Sequence, residues 1–240
     1  QTIANELARR PGHEAVRTHV WKLLTDGLDI PASDIDHEKR VVTGRIDALL
    51  GRTVLEFKRD LRLASEAGDA VTQLRMYMRE QRERSGAHYV GIATDGATFV
   101  AYELDGEELR ELQRYATRRD DGRPLLEWLE GAIAPHADLA PDPEKVAHQL
   151  GRDSIAYLVA RRELAEIWGR LASRADMALH RDLWSDRLRI VYGSSIDNDD
   201  LWYQHTYLTV VAKTMATVAA GFSPLPDPVD LPPGGPFPNA

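Results

Sequence analysis

The chain has 240 residues, 43% of them hydrophobic and 28% charged, and no cysteine. That is the composition of a globular protein with room for one large domain or two small ones, and it excludes disulfide staples, thiolate metal sites and a cysteine nucleophile. No apolar run reaches the roughly 18 residues of a membrane span and no secretory signal is present, while a formal net charge of -8 leaves local basic patches as the only route to nucleic acid.

Residues 2–27 carry Val16, Val20, Leu23 and Leu24 at three- and four-residue spacing, which predicts helix. The Pro11-Gly12 pair divides it in two. Three strand-like runs follow at about 36–43, 45–50 and 53–58, punctuated by Gly44 and by a tight hairpin at Gly51-Arg52. A polar helix is expected over about 66–85, then a buried strand over residues 88–94. An Asp95-Gly96 turn leads to a partner strand from Thr98 to Leu104. Residues 107–132 read as one or two short helices. Residues 135–143, rich in Ala, Pro and Asp, read as a linker. Beyond it the pattern is helical: Val146, Leu150, Ile155, Leu158, Val159, Leu164, Ile167, Trp168 and Leu171 keep a helical period. A further helix is expected from Asp199 and Asp200 to Ala220, stopped by Gly221. The last twenty residues hold seven prolines and read as a linker or tail. The order predicts an α/β (α+β) core followed by an all-helical region.

The stretch GRIDALLGRTVLEFK, residues 44–58, carries the chemistry. Side chains alternate along a strand, so Glu56 and Lys58 share one face while Leu55 and Phe57 enter the core on the other. Val54 shares the face of Glu56. A hairpin at Gly51 brings Asp47 beside Glu56. Two carboxylates and an ammonium then gather at one end of a sheet. Mg2+ takes oxygen ligands and keeps several waters beside one or two carboxylates, which suits phosphodiester hydrolysis. The Phe57 carbonyl is a further candidate ligand, and the lysine can orient water or stabilise charge on phosphorus. Taken alone, a Glu-x-Lys on a strand is most often a solvated face.

On these residues the chain resembles the PD-(D/E)xK nuclease superfamily over roughly residues 5–105. Asp47 stands at the motif's aspartate and Glu56-Phe57-Lys58 at its (D/E)xK, with Ile46 in place of the proline. The resemblance implies a restriction-endonuclease-like mixed central sheet flanked by helices, Mg2+ as cofactor with Mn2+ able to substitute, and double-stranded DNA as substrate. It also implies an acidic residue from the first helix supporting the metal. Glu14 is the candidate, with Glu6 and Glu38 as competitors. Gln73 and Tyr77, four residues apart on one helix face, are similar to the Q-x-x-x-Y element of the RecB-type branch, whose amide and phenol hold the lysine or meet the DNA backbone.

Arg75, Arg79, Arg82 and Arg84, with Lys58, Arg59 and Arg62 just before them, offer a phosphate-binding surface. Interleaved Glu80 and Glu83 make a salt-bridged solvated face an equal alternative. The eight histidines form no paired zinc motif, and no G-x-S-x-G or phosphate-binding glycine loop is present.

The segment NDDLWYQHTYLTVVAKTM, residues 198–215, resembles the helix before the adenine methyltransferase domain of fused restriction-modification enzymes. His205 and Tyr207 would serve there as interhelix hydrogen-bonding groups. The expected organisation is a nuclease domain over 1–134, a helical connector over 144–221 and a Pro-rich tail over 222–240. The chain starts at Gln1, so it is expected to be a piece of a longer cytoplasmic protein that carries methyltransferase and specificity modules. The alternatives are a catalytically silent DNA-binding or scaffold domain and a RecB-type repair nuclease.

Overall fold

Six strands form one mixed sheet in sequence order, β1 to β6, and a single parallel pairing at its centre sets the architecture. These elements come from a computed structural model that describes residues 1–41, 44–133, 143–193 and 198–220; the side chains of residues 37–41, 44, 45 and 145 fall outside that description. β1 (Ile35–Val41), β2 (Gly44–Leu50) and β3 (Thr53–Phe57) meander antiparallel. The turn between β2 and β3 puts Gly51 at φ +53°, a conformation that costs glycine nothing. α3 (Ala64–Ser85) then carries the chain back, and β4 (Val90–Thr94) runs parallel to β3 with Leu55 opposite Ile92. A parallel neighbour demands such a crossover and tends to be covered on both faces. Every residue of β3 and β4 is buried. β5 (Thr98–Asp105) and β6 (Glu108–Ala116) return to antiparallel pairing.

Alternation along β3 builds two cores. Leu55 and Phe57 join Leu7, Val16, Val20, Leu24, Phe99, Leu125, Trp128 and Leu129. This face is covered by α1 (Thr2–Leu7), α2 (His13–Lys22), a π-helical turn over Leu23–Gly27, and α4 (Arg123–Ile133). Val54 joins Ala70, Leu74, Tyr77, Met78, Ala93 and Leu104 beneath α3 on the other face. The expected mixed sheet flanked by helices is therefore formed, and the chain does break between α1 and α2 around Pro11-Gly12.

One expectation fails. Residues 107–132 are not all helical, because their first part is the strand β6 and only α4 is a helix. Leu109, Leu112 and Tyr115 recur every three residues and imitate a helical stripe. A register shift explains them: Tyr102 faces Glu111 while Ala101 faces Gln113, so Leu112 is the extra residue of a bulge. A bulge reverses the alternation beyond it. Leu109 accordingly packs on the α3 side, while Leu112 and Tyr115 pack on the opposite core.

The chain divides into compact units at Gln1–Val159 and Ala160–Ala240. The first includes α5 (Pro143–Leu150) and the start of α6 (Ile155–Leu171), whose Ile155 enters the core of Leu55 and Phe57. Residues 135–142 of the expected linker at 135–143 and the expected tail at 222–240 lie outside the described residues, and Pro143 already belongs to α5. The second unit contains most of α6, α7 (Ala175–Tyr192) and α8 (Asp199–Ala219). Its helices meet at Trp168, Trp184 and Trp202, with the Arg181 guanidinium 6.0, 4.7 and 5.3 Å from the three ring centroids. Arg181 also pairs with Asp199 at 3.0 Å. Trp184 Nε1 donates to His205 Nδ1 at 3.0 Å, the interhelix hydrogen bond expected of that residue, and Tyr207 is buried. The cap of α8 is Asn198, one residue ahead of the expected aspartates, whose side chain accepts from Leu201 N–H at 2.8 Å. No helix among the described residues is long and apolar enough to cross a membrane.

Candidate active site

The end of β3 is where the chemistry-bearing side chains gather. The β2–β3 ladder runs from Leu50–Thr53 to Ala48–Leu55 and stops. At the next step Asp47 Oδ2 accepts the Phe57 N–H at 3.0 Å, so a carboxylate takes over from the backbone. Two residues on from Val54, Glu56 occupies the α3 side of the sheet. Its Oε1 lies 2.9 Å from Lys58 Nζ. Lys58 Nζ also donates to Gln73 Oε1 on α3, and its backbone N–H is fixed to Thr94 O of β4 at 2.8 Å. Asp47, Glu56, Lys58 and Gln73 are thus brought together by two strands and the crossover helix.

The electrostatics follow from the placement. Burial, then the nearby Asp47 carboxylate, raise the Glu56 pKa from 4.5 to about 7; Lys58 opposes the shift and Asp69, one turn before Gln73, adds to it. A cation beside this pair would oppose the shift by favouring the ionised carboxylates. Glu56 and Lys58 are 4% and 9% exposed, whereas Asp47 and His13 are half-buried, so solvent reaches the group from the Asp47 side.

His13 is the residue that sequence reasoning missed. It opens α2, and its Nε2 lies 3.2 Å from the Phe57 carbonyl oxygen. The ring also packs edge-on against Phe57, 6.5 Å between centroids. The two backbone groups of Phe57 are thus engaged by Asp47 and His13. Nothing in the spacing of the sequence announces the histidine, because its target is a main-chain atom 44 residues away.

The acidic candidates separate. The Glu14 side chain is 84% exposed, with Oε1 3.5 Å from His13 Nδ1. Glu6 is engaged by His19 at 2.7 Å. Glu38 stands across β1–β2 from Asp47, between the pairs His37–Ala48 and Lys39–Ile46; its side chain lies outside the described residues. Tyr77 shares the buried core with Leu74 and Met78 rather than an open surface. On the outer face of α3, Arg75 pairs with Glu108 at 3.0 Å and Arg79 with Glu107 at 2.5 Å. These pairs give Arg75 and Arg79 the salt-bridged face of the two expected readings. Asp60 holds Arg62 through three hydrogen bonds, and that guanidinium keeps the Asp60 carboxyl well below its usual range.

Among the described residues no group of three or more His, Asp or Glu side chains forms a metal cage. The donor set at β3 still fits Mg2+, which takes one or two carboxylates and fills its remaining positions with water and phosphate oxygens. Asp47 and Glu56 supply the carboxylates, and burial beside Asp47 raises the proton affinity of Glu56. The Phe57 carbonyl, 3.2 Å from His13 Nε2, keeps a second lone pair that an ion could use.

Comparison with known proteins gives no match to a protein-family model, to a curated protein or to a solved structure.

Proposed function

We propose that this chain carries the nuclease part of a Mg2+-dependent DNA endonuclease of the PD-(D/E)xK type, from a restriction-modification or phage-defence enzyme of the cytoplasm. The observation that carries the reading is the convergence of Asp47, Glu56 and Lys58 at the end of β3, with Gln73 on the lysine. Mg2+ bound there, or Mn2+ in its place, supplies Lewis acidity at the scissile phosphate and acidifies a water. Asp47 and Glu56 would hold the ion. Lys58 directs its ammonium toward the phosphorus side, and Gln73 keeps that long side chain from wandering. Double-stranded DNA is the substrate, and methyltransferase and specificity modules belong to the same full-length chain.

The test is a DNA cleavage assay with and without Mg2+ on the native chain and on Lys58→Ala. Loss of at least about a thousandfold in rate, with DNA affinity kept within about threefold, is expected of a group that acts in the transition state. Cleavage by Lys58→Ala at the native rate removes the assignment.

Two other readings draw on single observations. A catalytically silent DNA-binding or scaffold domain accords with the near-complete burial of the Glu56–Lys58 pair. It requires that native protein bind DNA and never cut it. A RecB-type repair nuclease accords with the Lys58–Gln73 contact. It requires a preference for ends or single strands over closed duplex circles.

A further inference from the structure

Asp95 is a carboxylate with no solvent exposure, placed directly after the Thr94 carbonyl that holds the Lys58 N–H. A buried charge is tolerated only where its lone pairs are met. One oxygen acts locally, since Oδ1 accepts from Ala97 N–H at 3.0 Å and Thr98 N–H at 2.7 Å and so shapes the turn into β5. The turn has no need of the other oxygen. Oδ2 instead accepts from Leu61 N–H at 2.9 Å and from Arg10 Nε at 3.2 Å, partners 34 and 85 residues away.

Both distant partners flank the candidate site. Leu61 lies three residues after Lys58, in the loop that leads to α3. Arg10 lies three residues before His13, in the loop that leads to α2. Arg10 takes φ +54°, a left-handed conformation that costs a non-glycine residue about 1 kcal/mol and persists where the surroundings enforce it. Its Nε also stands 3.6 Å from Asp60, the residue that holds Arg62. A single carboxylate oxygen therefore joins the segment that bears Lys58 to the segment that bears His13.

We propose that Asp95, through Arg10 and the Leu61 amide, is a positioning residue for phosphodiester cleavage at Lys58. The role in catalysis rests on the nuclease reading; the tether itself does not. With the Lys58 N–H fixed by Thr94 and the Leu61 N–H by Asp95, the lysine backbone is held on both sides, so only its side chain can adjust. Neither Asp95 nor Arg10 touches the reacting atoms.

The experiment compares the native chain with Arg10→Ala, Arg10→Lys and Asp95→Asn. Asparagine keeps an oxygen for Ala97 and Thr98 but turns an NH2 toward the Leu61 N–H and Arg10. Amide hydrogen exchange, thermal unfolding, and kcat and KM for duplex DNA with Mg2+ are measured on each. Arg10→Ala and Asp95→Asn are expected to speed exchange over residues 58–63 and at Ala15 and Val16, whose amides bond Gly12 O at the start of α2, by about tenfold. They are expected to lower kcat by about tenfold to a hundredfold with KM within about twofold. Arg10→Lys recovers the larger part of both. The proposal is overturned if exchange and kcat stay within about twofold of native. It is also overturned if the loss of kcat merely follows the loss of folded protein and Arg10→Lys restores nothing. If the native chain cuts no DNA, the nuclease reading falls, and the exchange measurements alone decide the tether.

Discussion

The sheet unit and the helical unit hide their apolar side chains to different degrees. Among the described residues, only Leu63 and Met76 of the sheet unit are large hydrophobics left exposed. The shorter helical unit exposes Ile167, Leu179, Leu183, Ile190, Val191, Tyr192, Leu208, Val210, Met215 and Val218. The first unit is stabilised by two hydrophobic cores on either side of a buried sheet. The second is gathered around three tryptophans and Arg181, where the attraction is partly between a cation and ring faces. Burial of large areas can sustain strained and charged positions such as Arg10, Asp95 and Glu56. The candidate chemistry accordingly sits in the unit that can support it.

The largest effect that would break this contrast is in the core. Leu55→Ala should destabilise the sheet unit by about 2–5 kcal/mol, a large part of what a domain possesses. Chemical denaturation followed by circular dichroism measures it, and a loss under about 1 kcal/mol would mean the β3 core is not what holds the unit.

Next comes pH. The folded sheet unit keeps a proton on Glu56 up to about pH 7, whereas the unfolded chain gives it up near 4.5. Stability without divalent cations should therefore be full below about pH 4.5, decline as pH climbs toward 7, and stay lowered above that. Glu56→Gln should remove the slope and stabilise the ion-free protein above pH 7 by up to about 3 kcal/mol. Denaturation midpoints at pH 5 and pH 8.5 decide this, and parallel behaviour of the two proteins would contradict it. Divalent ions should erase most of the difference, since they favour the ionised carboxylate.

A smaller effect sharpens the other side of the comparison. Arg181→Ala should cost the helical unit about 1–2 kcal/mol through its lost ring contacts and its pair with Asp199. Limited proteolysis should then open α7 and α8 before β3 and β4. The smallest change is Arg75→Ala on the salt-bridged face of α3, expected within about 0.5 kcal/mol of native and with DNA affinity little altered. A large loss of DNA binding there would return Arg75 to the phosphate-contacting role.

Local chemistry made much of the site legible. Glu56 and Lys58 share a face because strands alternate. Asp47 meets them because Gly51 allows a tight turn, and Gln73 arrives with the helix that a parallel sheet requires. What stayed hidden depends on contacts remote in sequence. β6 imitates a helix until its bulge opposite Ala101 and Tyr102 is seen. His13 and Arg10 act on a backbone carbonyl and on a buried carboxylate far along the chain, and neither leaves a periodic trace. Asp95 is visible in the sequence only as half of an Asp-Gly turn, although its second oxygen reaches two other segments.

The parallel pairing of β3 with β4 also has a bearing on synthesis. Thr94 leaves the ribosome 38 residues after Glu56, which at ordinary elongation rates is a delay of roughly 2–8 s. Until then β3 is an open edge and Lys58 lacks its backbone anchor. A nascent chain thus passes through a period in which its carboxylates are made but not assembled, so the candidate site stays incomplete until the crossover has closed.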